Sequence, residues 1–117
     1  MKAPKEQDIQ KACIEYLWLI GAVPLRINSG GMMGEYKGKK RYVRFVSEPG
    51  CSDIVCCLPD GVFGAIEVKR PGSHTDKERM AKQLSFLDRV RKAGGLGVMV
   101  SSVVELQAAL KLEGYEV

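Results

Sequence analysis

The chain has 117 residues, of which 45% are hydrophobic and 27% are charged, so we expect one globular domain spanning residues 1–117. No apolar run approaches the ~20 residues of a membrane span, and the N-terminal MKAPKEQD lacks the apolar stretch of a signal peptide, which predicts a cytoplasmic protein without a membrane partner. Four cysteines without paired CxxC spacing argue against zinc and predict buried, reduced thiols.

The net charge of +4 is a mild basic excess, but the basic residues are clustered. Residues 26–44 contain only one acid, Glu35, among the basic residues Arg26, Lys37, Lys39, Lys40, Arg41 and Arg44. A second group comprises Lys69, Arg70, Lys77, Arg79 and Lys82. Such clusters suit a polyanion such as nucleic acid, although charge alone fits plain solubility equally well.

The first half of the chain predicts one helix and two strands. Residues 5–20 repeat apolar side chains at the spacing of an amphipathic helix, which ends at Gly21. AVPLRIN (22–28) and RYVRFV (41–46) have the composition of strands. The intervening SGGMMGEYKGKK is rich in glycine and lysine, and we interpret it as a long flexible hairpin tip between those strands.

The second half predicts a hairpin, a helix, a strand and a last helix. DIVCCL (53–58) and VFGAIEVK (62–69) are joined by a tight PDG turn. Thr75 and Glu78 have the spacing of a capping box for a helix over residues 76–93, whose predicted apolar stripe includes Leu84. LGVMV (96–100) is predicted to be a short strand, and Ser102 and Glu105 have the spacing of a second capping box for a helix that ends near Gly114. This order predicts an α/β fold with a mixed sheet flanked by helices.

Charged side chains meet at one end of the predicted hairpin. Glu67 and Lys69 lie on the same face of their strand, because side chains alternate along a strand. In an antiparallel hairpin, Asp53 at the start of one strand lies near them at the end of the other. Two close carboxylates need a compensating cation, and Mg²⁺ or Mn²⁺ bound there can polarise a phosphodiester. The alternative is a structural ion pair at a strand end.

Two further polar residues point toward the same place. Gln83 falls within the apolar stripe of the second helix, where its amide needs buried partners. Glu6 lies at the N-terminal end of the first helix's apolar face. Each has an ordinary alternative: a glutamine bonded to nearby backbone, and an acid that interacts with the helix dipole.

The spacing of these residues resembles the PD-(D/E)xK nucleases, which have a restriction-endonuclease-like fold with an α-β-β-β-α-β core. The motifs are Glu6, PGCSD (49–53), IEVKRPGSHT (66–75) and QLSFLDRV beginning at Gln83. Together they resemble the VRR-NUC (viral-type replication–repair nuclease) domain from Glu6 to about Val100. Ser52 stands where the name of the superfamily has proline.

The resemblance implies a role for each matched residue. Asp53 and Glu67 would bind the metal, with the carbonyl oxygen of Val68 as a third ligand, and Glu6 would bind it directly or through water. Lys69 would assist the attacking water, and Gln83 would complete the catalytic set.

Small members of this family resemble Holliday-junction resolvases, act as homodimers on branched DNA, and are often encoded by phages. The resemblance therefore implies a homodimeric endonuclease in a bacterial or phage-infected cell. The predicted DNA-binding residues are Lys37, Lys39, Lys40, Arg41, Arg44 and Arg70. The lysine-rich tip can alternatively serve the dimer. Two other functions stay open: a non-catalytic or partner-dependent nucleic-acid-binding module with the same fold, and a structural protein.

Overall fold

The structure is a computed structural model, and it describes residues 4–27, 31–44 and 48–117. The elements in chain order are α1 (Glu6–Leu19), β1 (Val23–Arg26), β2 (Gly31–Tyr36), β3 (Lys39–Arg44), β4 (Ile54–Cys57), β5 (Phe63–Val68), α2 (Lys77–Lys92), β6 (Leu96–Val100) and α3 (Val103–Leu112). The central sheet has the order β1-β4-β5-β6, with β6 parallel to β5 and the other pairs antiparallel. The predicted mixed sheet flanked by helices is confirmed.

Two hydrophobic clusters hold the helices on opposite faces of this sheet. On one face, Ile9, Cys13 and Leu17 of α1 and two leucines of α3 pack against alternate residues of the strands, among them Ile66 and Val68 of β5. On the other face, Phe86 and Leu87 of α2 pack against Ala65. Successive residues of β5 therefore belong to different layers, which directs the side chain of Glu67 to the α2 side.

The start of α2 differs from the prediction. Asp76, not Thr75, is its N-cap, and its carboxylate accepts a hydrogen bond of 2.9 Å from the N–H of Arg79. Leu84 is half exposed, whereas Gln83, Phe86 and Leu87 are buried. The sheet contacts a stripe centred on these three residues, and Leu84 lies at its edge. The second predicted cap is confirmed, because the hydroxyl of Ser102 accepts a hydrogen bond from the N–H of Glu105.

The predicted hairpin between residues 22–28 and 41–46 is wrong. β1 pairs with β4, while β2 and β3 form a two-stranded sheet of their own. Lys37 and Gly38 turn the chain between β2 and β3 with φ values of 51° and 76°. Positive φ at both central positions matches the twist of a tight hairpin, but lysine adopts it rarely, so this turn has little signature in the sequence. Residues 28–30, 45 and 46 of the predicted segments lie outside the described residues.

The predicted β4–β5 hairpin is confirmed, and its register determines which residues meet. Ile54 pairs with Ile66 and Cys57 pairs with Phe63. Continuing this register by one residue brings Asp53 opposite Glu67. Both residues therefore lie at the same end of the sheet, as the sequence predicted.

The four cysteines form no disulfide, and Cys13, Cys51 and Cys56 are buried as expected. Cys57, which lies on the opposite face of β4 from Cys56, is exposed, so the prediction of a buried thiol is wrong there. No helix within the described ranges has the length and apolar character to cross a membrane.

Candidate active site

The backbone at the end of the β4–β5 hairpin fixes the carboxylate of Asp53. Its Oδ2 atom accepts a hydrogen bond of 2.9 Å from the backbone N–H of Val68. This contact joins the start of β4 to the end of β5, and the side chain of Asp53 stays partly accessible. A carboxylate held by a backbone donor keeps a free oxygen, so Asp53 can bind a further group without losing its position.

Glu67 is the buried acid of the site. Only 3% of Glu67 is exposed to solvent. Its Oε1 atom lies 3.7 Å from Nζ of Lys69, and its Oε2 atom has no hydrogen-bond partner. The pKa of Glu67 is raised to about 8, mainly by burial and then by the charges of Asp53 and Glu6, while Lys69 acts in the opposite direction. One ammonium group therefore leaves the two carboxylates incompletely neutralised.

The side chain of Lys69 is held between two partners. Its Nζ donates a hydrogen bond of 3.1 Å to Oγ1 of Thr75, in addition to its ion pair with Glu67. Its backbone N–H donates to the carbonyl of Val100 at 2.9 Å, which continues the β5–β6 pairing by one residue. The segment between Lys69 and α2 thus folds back so that Thr75 reaches the lysine rather than capping the helix.

The part of α2 that carries Gln83 packs closely against the loop before Asp53. A side chain at Gly50 would put its Cβ against the carbonyl oxygen of Lys82 and 2.8 Å from the amide nitrogen of Gln83. Gly50 also has a φ of +74°, which disfavours other residues. Gln83 is 5% exposed, and its Oε1 has no hydrogen-bond partner. The buried amide predicted from the sequence is therefore present, and its carbonyl oxygen can still accept a hydrogen bond.

Glu6 lies close enough to the site for its charge to act on Glu67. It lies at the first residue of α1, is half buried, and contributes to the raised pKa of Glu67. Nε2 of Gln10, one helical turn further along, donates to Oε1 of Glu6 at 3.4 Å. Gln10 is itself buried and its Oε1 has no partner. The pair adds a third acid, Glu6, and a second unpartnered amide oxygen, that of Gln10, on the inner face of α1.

The donor set fits a hard divalent cation. Asp53 and Glu67 supply two adjacent carboxylates, and one of their oxygens is buried without a partner. Such an ion commonly takes one or two carboxylates and fills its other positions with water. Among the described residues, no three histidine, cysteine, aspartate or glutamate side chains converge as a metal-binding group. The roles of Asp53, Glu67, Glu6 and the Val68 carbonyl as metal ligands stay predictions.

The residues predicted to bind DNA lie mostly on the β2–β3 hairpin. Lys37, Lys39, Lys40 and Arg41 are exposed there, and Arg70 is exposed directly after Lys69. The backbone of Arg44 ends β3, but its side chain lies outside the described residues. Their contact with DNA stays a prediction.

Sequence reasoning missed three polar neighbours of the site: Gln10, Ser52 and Thr75. Gln10 is four residues after Glu6, so the helical period that identified Glu6 could have identified it too. Ser52 is fully buried, and its hydroxyl has no hydrogen-bond partner. Thr75 carried only a capping signal, because its contact with Lys69 depends on how the loop between them folds.

The fold and the site define a class of protein: a mixed α/β domain with two acids and a lysine at the end of an antiparallel hairpin. One solved structure, described as a VRR_NUC domain, is similar to this chain, with a TM-score of 0.61 and 26% sequence identity. The match covers 97% of this chain and 100% of that one. No family model and no curated protein matches. The resemblance to the VRR-NUC domain is confirmed, and the fold is nuclease-like.

Proposed function

We propose that this protein is a Mg²⁺- or Mn²⁺-dependent endonuclease that hydrolyses phosphodiester bonds in branched DNA. The observation that carries the proposal is the buried, incompletely neutralised acid pair, Asp53 and Glu67, beside an anchored lysine. An acid buried without full compensation destabilises a protein, and such acids are typical of sites that bind a cation or transfer protons. The similarity to a VRR_NUC domain structure supports the same class of reaction.

Each residue of the site would have a distinct task. Asp53 and Glu67 would hold the cation, and a bound divalent cation polarises the phosphodiester and lowers the pKa of a water molecule. Lys69 has three donor protons, of which Thr75 accepts one and Glu67 attracts another. The remaining proton can orient the attacking water or stabilise the charge that develops on phosphorus.

The remaining polar groups would arrange water around the reacting phosphate. Oε1 of Gln83 and Oε1 of Gln10 are buried acceptors without partners. An acceptor of this kind requires a donor, and a water molecule ordered at the site would supply one. Glu6 would contact the cation through such water, held in place by the amide of Gln10.

We further propose that the enzyme acts as a homodimer on four-way junctions in the cytoplasm of a bacterial or phage-infected cell. A homodimer with two active sites can cut two strands of one branched molecule, and it enlarges the surface that a small chain offers to DNA. The exposed basic residues of the β2–β3 hairpin would contact phosphates. The resemblance to the VRR-NUC family is the basis for proposing both the junction specificity and the dimer.

The experiment is a cleavage assay on linear, forked and four-way DNA assembled from shared strands, with Mg²⁺, with Mn²⁺ and with EDTA. We expect the parent protein to cut the four-way junction fastest and only with a divalent ion. Glu67→Gln preserves the size of the side chain and removes its charge, and we expect it to abolish cutting. A matched control is Glu78→Gln, because Glu78 is an exposed acid on α2.

The outcomes separate the parts of the proposal. Metal-dependent cutting of linear DNA at the same rate would refute the junction preference alone. DNA binding without cutting under any metal condition would refute the enzyme and favour a non-catalytic binding module. A titration of the parent and Glu67→Gln with Mn²⁺ provides a second readout, since binding heat should be lost in the variant.

A further inference from the structure

The two faces of the β2–β3 hairpin differ in charge. Directly paired residues of antiparallel strands project to the same face. The register therefore defines a basic face and a mixed face. The described residues of the basic face are Met32, Gly34, Tyr36, Lys39 and Arg41, and those of the mixed face are Met33, Glu35, Lys40 and Tyr42.

The basic face combines one aromatic ring with several cations. Lys39 lies directly opposite Tyr36, and Arg41 follows two residues later on the same face. Nζ of Lys37, in the turn, lies 5.4 Å from the centre of the Tyr36 ring. Among the described side chains of this face there is no acid. On the mixed face, Glu35 lies opposite Lys40 and balances its charge.

Both faces of the hairpin are exposed. The side chain of Tyr36 is 64% exposed and that of Tyr42 is 60% exposed, with Met32 and Met33 similarly accessible. Within the described ranges, β2 and β3 pair only with each other. An isolated two-stranded hairpin is marginally stable in water, so a partner that covers one face would stabilise this hairpin.

The charge of the basic face determines which partner fits it. Lys37, Lys39 and Arg41 are complementary to a polyanion, whereas they would repel the same face of a second copy. An exposed aromatic ring beside cations is the arrangement that binds single-stranded nucleic acid, because bases stack on the ring and the cations contact the backbone. A base within a duplex has both faces covered by its neighbours and cannot stack in this way.

We infer that the basic face of the hairpin binds unpaired nucleotides of DNA, with Tyr36 stacked on a base and Lys39 and Arg41 on the flanking phosphates. The inference rests on the proposed function, since it concerns how the nuclease would contact substrates that contain unpaired nucleotides, such as forked DNA. The mixed face also has a methionine, a tyrosine and a lysine among its described side chains, but there Glu35 offsets Lys40, which makes Tyr42 a matched control.

The experiment measures binding by fluorescence anisotropy in EDTA, with labelled oligodeoxythymidine and a blunt duplex of the same length. We expect Tyr36→Leu to weaken single-strand binding about tenfold and duplex binding by less than about twofold, since stacking involves unpaired bases. Tyr36→Phe keeps the ring and should bind like the parent. Tyr42→Leu should also bind both DNAs like the parent, because among the described side chains of its face Glu35 offsets the charge of Lys40.

Three outcomes would overturn the inference. Tyr36→Leu could bind single strands as tightly as the parent. Tyr42→Leu could lose as much affinity as Tyr36→Leu. Sedimentation velocity could show that Tyr36→Leu dissociates a dimer, which would assign the face to a second copy. Because binding is measured without a divalent metal, failure of the nuclease proposal would appear separately, as absence of cleavage by a protein that still prefers single strands.

Discussion

The end of the β4–β5 hairpin and the β2–β3 hairpin use charged residues in opposite ways. In the first, Glu67 and Lys69 are largely buried and each has a defined neighbour. In the second, Lys37, Lys39 and Arg41 project into water with no acid opposite them. The interaction energy of a buried charge depends strongly on the exact positions of its neighbours. An exposed charge acts on a partner through water, and salt screens that interaction. The first arrangement suits chemistry at one bond, and the second suits contact with a long polyanion.

The largest expected effect comes from removing the buried cation. Lys69→Ala should reduce cleavage at least about a hundredfold, because loss of one preorganised donor at the reacting group has a cost of this size. DNA binding should change little, since Lys69 is one of many cations. Single-turnover cleavage and anisotropy would measure the two effects. Lys92→Ala is a matched control, because Lys92 is an exposed lysine paired with Asp88; a Lys69→Ala variant that cuts like it would contradict the role.

A smaller effect is expected from the residue that holds this lysine. Thr75→Val keeps the shape of the side chain but removes the acceptor of the Lys69 hydrogen bond, so cleavage should fall about tenfold. Thr75→Ser keeps the hydroxyl and should restore the rate. Mn²⁺ affinity and melting temperature should stay near those of the parent in both variants. Equal rates for the valine and serine variants would show that the contact does not position Lys69.

The exposed hairpin should respond to salt rather than to geometry. Replacing Lys39, Lys40 and Arg41 with glutamine should weaken DNA binding and reduce the dependence of log K on log salt by about 0.9 for each phosphate that the protein no longer neutralises. The single-turnover rate at saturating DNA should be unchanged. Binding isotherms at several salt concentrations provide the test. An unchanged salt slope would remove these residues from the DNA interface and weaken the contrast between the two regions.

The smallest effect expected is on stability, and it has a defined sign. The pKa of Glu67 is raised from 4.5 to about 8, so the folded protein keeps a proton that the unfolded chain has lost. Stability in EDTA should therefore fall as pH rises through this window and level off above it. Glu67→Gln does not titrate, so its melting temperature should fall less over this window and exceed that of the parent at high pH. Melting curves that stay parallel across the window would contradict the burial of an uncompensated acid.

The sequence by itself determined the parts that depend on short periodicities. The repeat of α1, the β4–β5 hairpin and the alternation of Glu67 and Lys69 follow from helical and strand geometry, so the meeting of Asp53 with Glu67 was predictable. The burial of Gln83 followed from the period of α2 in the same way.

Only the tertiary structure decided the parts that depend on contacts between distant segments. β1 pairs with β4, while β3 pairs with β2, and this choice depends on contacts between segments that are far apart in the chain. Thr75 is a partner of Lys69 instead of a helix cap because the preceding loop folds back to it. Glycine is needed at position 50 because α2 leaves no room for a Cβ there. Local patterns specify which side chains share a face, but close packing between layers decides which of them touch.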